Sequence, residues 1–121
     1  MKNRETWDDR YGLLNPPYLY FGSIIVTANF LAGVDSGRST ILVNAGGVTV
    51  TLPLAADSVG KAFFIKNISA IGATTILPSG TDLIDGVTAG GGGQSLPDQY
   101  DVMLVVSDGI SNWFILSSSN L

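Results

Sequence analysis

From Ile24 onward, short runs rich in Val, Ile, Thr and Phe are separated by clusters of Gly, Pro, Asn and Asp. They recur at the interval of about 8–12 residues that marks successive short strands. The runs predict strands over Ile24–Ala32, Thr40–Asn44, Val48–Leu52, Ala62–Ile68, Thr74–Leu77, Asp82–Ile84, Gln94–Leu96, Asp101–Val106 and Trp113–Ser117. A series of this kind predicts an all-β chain, folded as an antiparallel β-sandwich or a barrel-like module. In Val48–Pro53, VTVTLP, the residues Val48, Val50 and Leu52 fall on one face and Thr49 and Thr51 on the other, the period of two of a half-buried strand.

The breaks between runs have physical causes. Ala45-Gly46-Gly47 supplies positive φ, Pro53 lacks the N–H that would continue a ladder, and Asp85-Gly86 and Asp108-Gly109 are hairpin-type dipeptides. Helix signals are confined to Leu54–Val59, where Ala55 and Ala56 favour one turn and Gly60 stops it. Gly90–Gly93 reads as a turned or flexible loop and not as a phosphate cradle, because no strand-loop-helix pattern surrounds it.

Two runs depart from simple alternation. KAFFIKNI (61–68) and DVMLVVS (101–107) offer apolar side chains to both faces, so each strand must be covered twice. The first cover is the chain's own core. The second is either another copy of the chain around a symmetry axis, or a further sheet or the N-terminal segment folded back. Self-association would place Phe64, Ile68, Val102 and Leu104 in an oligomer interface. Trp113 follows a turn and alternates with Ile115, which predicts a core position with the indole N–H on a backbone carbonyl. Asn67, at a strand end, is expected to bond a neighbouring backbone group.

The N-terminal stretch differs in kind. Six of the sixteen charged residues lie in the first ten positions and balance to zero, so this is not an electrostatic arm. NPPYLYFGSII (15–25) begins with two prolines that exclude a continuous helix and follows them with three aromatics. Pro16 and Pro17 stiffen an extended backbone, and Trp7, Tyr11, Tyr18, Tyr20 and Phe21 are the anchors an arm would bury in a partner. The chain therefore divides into an extended docking arm, 1–25, and a β module, 26–121.

Composition narrows the chemistry. The 121 residues include no Cys and no His, which removes thiolate sites, the commonest general base and the usual partner of a serine nucleophile. Six Lys and Arg against ten Asp and Glu, a formal net charge of −4, oppose a nucleic-acid groove. No apolar run approaches the roughly 18 residues of a membrane span. Asp82 and Asp85 lack the alternating oxygen ligands and closing Glu of an EF-type calcium loop. Asp98 and Asp101 flank Tyr100 without the grouped aromatics of a sugar groove, SVGK (58–61) lacks the spacing of a phosphate-binding motif, and Ser107 and Ser117–Ser119 have no base. No catalytic residue, metal ligand or cofactor site is expected.

Three stretches carry a resemblance: STILVNAGGVTVTLPLAADSVGKAFFIKNIS (39–69), PSGTDLIDG (78–86) and LPDQYDVMLVVSDGISNWFIL (96–116). In order and punctuation they resemble a β-module that recurs in tailed-phage virion proteins, among them tail fibres, tail spikes and small capsid-associated proteins. That resemblance implies a compact β-sandwich, commonly trimeric, with a structural or attachment role. Phe64, Val102 and Leu104 depart from it, since the corresponding positions of the module are often small or polar. The function expected is a non-enzymatic virion protein assembled in the bacterial cytoplasm. Its leading form is a trimeric capsid decoration or cement protein whose arm docks on the major capsid protein. The alternative is a short tail-fibre or tail-tip component held by a tail adaptor, including one that binds a host carbohydrate receptor.

Overall fold

A computed structural model describes residues 22–33 and 37–119. Its strands are β1 (Ser23–Val26), β2 (Phe30–Leu31), β3 (Thr40–Val43), β4 (Thr49–Thr51), β5 (Ala62–Asn67), β6 (Thr74–Leu77), β7 (Leu83–Ile84), β8 (Gln94–Leu96), β9 (Val102–Ser107) and β10 (Asn112–Ser118). They form a six-stranded sheet in the order β1-β3-β5-β9-β10-β7 and a four-stranded sheet in the order β2-β4-β6-β8. The chain is all-β in its described part, with a single 3-10 turn at Ala55–Asp57 where one helical turn is expected.

The antiparallel expectation is corrected: both sheets are mixed. β1 pairs with β3, β3 with β5, β2 with β4, β4 with β6 and β7 with β10 in parallel, whereas β5–β9, β9–β10 and β6–β8 are antiparallel. The cause is the path between sheets. From β1 to β6 the chain changes sheet at every turn, so it re-enters each sheet in the direction it had before. The Ala45-Gly46-Gly47 turn carries the chain across to the other sheet, whereas Asp85-Gly86 and Asp108-Gly109 turn it back as their hairpin-type composition predicts, the latter between the antiparallel strands β9 and β10. For the same reason the run Ile24–Ala32 is two strands and not one, interrupted at the exposed residues Thr27–Asn29. There Asn29 Oδ1 accepts a bond from the Thr49 N–H, 2.9 Å, in place of a ladder carbonyl. Ser23–Ile25, expected in the arm, lie in β1.

Stacking in register builds the core. Ile24, Ile41, Ile65 and Met103 are successive partners across the six-stranded sheet, and Phe30, Val50 and Ile76 across the other. Buried residues of both sheets join one apolar cluster. Val48, Val50 and Leu52 are all buried in it, as their alternation predicts. A second column runs Val26, Val43, Asn67. The fully buried Asn67 donates from Nδ2 to the carbonyls of Gly72 and Leu96, both 3.1 Å, and accepts at Oδ1 from the Ser69 N–H at 3.0 Å. It thereby ties the 68–73 turn and β8 to the end of β5, the backbone-bonding role expected of it.

The turns are held by carboxylates and glycines. Asp85 (φ 47°) and Gly86 (φ 84°) form a two-residue turn with both central residues at positive φ, closed by reciprocal 3.0 Å bonds between Ile84 and Val87. Gly93 (φ 60°) lies so close to β6 that a Cβ there would stand 2.1 Å from the Ile76 carbonyl oxygen. That close approach, and not a phosphate, accounts for the end of the glycine run.

Candidate interaction surface

The outer face of the six-stranded sheet assembles from alternate residues of five strands. Ile25 of β1 pairs with Leu42 of β3, Leu42 with Lys66 of β5, and Lys66 with Val102 of β9. One step along, Phe64 is the partner of Leu104, and Val106 is the partner of both Ala62 and Phe114. The inward neighbours Ile41, Val43, Phe63, Ile65, Met103, Val105 and Trp113 are buried. The outward set is half-buried in the middle of the sheet and open at its margins, with Ile25 61%, Phe114 44% and Leu116 62% exposed.

Of the four interface residues expected from sequence, the fold brings three together on this face: Phe64, Leu104 and Val102. Ile68 lies one residue past the end of β5, half-buried, its N–H bonded to the Val43 carbonyl at 2.9 Å. It extends the face at the rim. Ile25, Leu42, Phe114 and Leu116 were not expected there. A register shift between Ile115 and Ser117 places a bulge at Leu116, so alternation along β10 does not disclose which way that side chain goes. The arm residues Trp7, Tyr11, Pro16, Pro17, Tyr18, Tyr20 and Phe21 lie outside the described residues.

Lys66 is the one charged residue among these outer positions. Its Nζ sits over the ring of Tyr100, 5.8 Å from the centroid, within cation–π range. Tyr100 is 60% exposed and has φ 72°.

Four of the described acidic side chains, Asp82, Asp85, Asp101 and Asp108, accept bonds from backbone amides. The buried Asp82 accepts at Oδ2 from Ala55 N–H, 2.8 Å, and caps the 3-10 turn, while Asp85 accepts from Ile115 N–H at 3.0 Å. The two therefore serve different elements and do not form a pair. Asp101 Oδ2 accepts from Asp98 N–H at 2.9 Å. Asp108 Oδ1 accepts from the N–H groups of Ile110, Ser111 and Asn112. These bonds, that from Ile110 foremost, hold its pKa below the ordinary carboxylate value. Among the described residues no three acidic side chains gather to hold a metal. A cleft of about 350 Å³ lies beside Leu31, Thr51, Pro53, Asp57 and Lys61. The two serines on its wall donate their hydroxyls to the carbonyls of Leu54 and Leu52.

No protein-family model, curated protein or solved structure matches this chain.

Proposed function

We propose that this chain is a non-enzymatic structural protein of a tailed-phage virion, a β-sandwich trimer that decorates the capsid. The body associates through the outer face of its six-stranded sheet, and the residues that precede β1 dock on neighbouring capsid subunits. The observation that carries the reading is the apolar surface running from Ile25 through Leu42, Phe64 and Leu104 to Phe114. A sheet apolar on both faces calls for cover on both. A sheet surface with few charges is suited to a symmetric contact between copies. The likeness of residues 39–116 to the phage module adds the biological setting, and the aromatic leader adds the means of attachment.

The test is sedimentation velocity on the purified chain and on Leu104→Asp. The wild type is expected to be a trimer at micromolar concentration. The variant is expected to be a folded monomer, because an unpaired carboxylate in an apolar interface costs several kcal/mol. A wild-type monomer, or a Leu104→Asp trimer of unchanged stability, overturns the reading. Removing residues 1–21 is expected to leave the body assembled and abolish binding to capsids. A copy number on the scale of the capsid lattice separates decoration from a tail-fibre role.

A further inference from the structure

The parallel winding of the chain has a local consequence. β2, β4 and β6 are neighbours that run the same way, so their carboxyl ends all leave the four-stranded sheet on one side. The cleft of about 350 Å³ opens there, with Leu31 and Thr51 at the ends of β2 and β4 and Ser79 two residues beyond β6. It stands at the small end of small-molecule sites, which run from roughly 300 to 1,000 Å³. A pocket of this size suits a ligand of few heavy atoms.

The main chain beneath the cleft is already engaged. The carbonyls of Thr51, Leu52, Pro53 and Leu54 accept from Ala32 N–H, Ser79 Oγ, the Trp113 indole and Ser58 Oγ, at 2.8, 2.5, 3.1 and 2.9 Å. A ligand is therefore read by side chains. Ser58 and Ser79 give their protons to this main chain, so in this arrangement their oxygens are acceptors. Asp57 and Lys61 are exposed and bring opposite charges to the lining, and neither side chain has a hydrogen bond or an ion pair among the described residues. Leu31, 61% exposed, and Pro53 add an apolar surface.

We propose that this cleft binds a small zwitterion of the amino-acid type. The Asp57 carboxylate and the serine oxygens take its ammonium, the Lys61 ammonium takes its carboxylate, and Leu31 and Pro53 take an aliphatic side chain. A ligand of a single sign is repelled by one of the two charges, and a neutral one strips water from both without replacing it. A zwitterion meets each charge with its opposite. The cleft lies within one chain, so binding there is independent of how copies assemble.

Two-dimensional NMR spectra of the full chain, titrated with L-leucine, test this. L-leucine is expected to move the resonances of the cleft residues with a millimolar dissociation constant. Isocaproate, which lacks the ammonium, and isopentylamine, which lacks the carboxylate, are each expected to bind about tenfold or more weakly. Asp57→Asn and Lys61→Met are expected to fold, since neither side chain bonds to the body, and each to lose about tenfold in affinity for leucine. The crossed measurements assign the contacts: Asp57→Asn should bind isocaproate no more weakly than the wild type, and Lys61→Met should do the same with isopentylamine. Spectra unmoved at tens of millimolar L-leucine, analogues that bind as well as leucine, or affinity that survives both substitutions overturn the inference. The wild-type ligand series decides it even where a variant fails to fold.

Discussion

Trp113 donates its indole N–H to the carbonyl oxygen of Pro53, 3.1 Å away and sixty residues earlier in the chain. The contact joins β10, near the end of the six-stranded sheet, to the segment leaving β4 in the other sheet. The ring is fully buried and tilted at 48° against Phe63, with centroids 5.6 Å apart. One side chain thus satisfies a carbonyl, fills the centre of the core and links the two sheets. Trp113→Phe should leave the Pro53 oxygen unpaired and open a small cavity, destabilising the fold by about 2–4 kcal/mol. A lower urea midpoint with an unchanged m-value would confirm it. A midpoint equal to that of the wild type would contradict the role given to the bond.

Thr74 makes the opposite case. It is fully buried on β6, and its hydroxyl oxygen has no hydrogen-bond partner. A buried polar group without a partner loses its hydration and regains nothing. Thr74→Val keeps the shape and the β-branch and should raise stability by about 1 kcal/mol. Thermal unfolding measures it, and a lower midpoint would show that the hydroxyl is used.

Asp108 gives the fold an acid-sensitive element. Its carboxylate accepts bonds from three N–H groups and from Asn112 Nδ2, so its folded pKa lies below the ordinary value of 3.8. The native state then binds fewer protons than the unfolded chain in this range. Its contribution is complete above pH 3.8 and fades as the pH falls through the folded pKa. Asp108→Asn should therefore cost stability at neutral pH and less in strong acid. Urea midpoints measured for both proteins across the acid range should converge. Parallel curves would show that the loop does not depend on the carboxylate's charge.

Much of the fold is legible in the chain because period-two alternation and turn residues act locally. The predicted strands at Thr74–Leu77 and Gln94–Leu96 are those observed, and Val48–Leu52 overlaps β4. Pairing direction is not local. Alternation is identical in parallel and antiparallel strands, so VTVTLP indicates a face without indicating a neighbour. The signal for parallel stacking lies between segments: Ile24-x-Val26, Ile41-x-Val43 and Ile65-x-Asn67 fall in register. Successive isoleucines are 17 and 24 residues apart (24 to 41, 41 to 65), and this uneven spacing hides the repeat. Ile25 and Leu42 join the outer face only through that stacking. Phe64, Val102 and Leu104 were recognisable earlier because each stands in a strand with apolar residues at both parities.

The chain changes sheet at each step from β1 to β6, so from β3 onward every new strand in this series pairs with one already synthesised. A ribosome can accordingly lay the first three layers down as a pile, without waiting for distant sequence. The far flank of β5 is different: it stays bare until β9 arrives, and Trp113 follows later still. A nascent chain stopped before β10 would have a hollow centre and a raw margin, both open to chaperones and proteases. The body therefore closes only when β10 has been made.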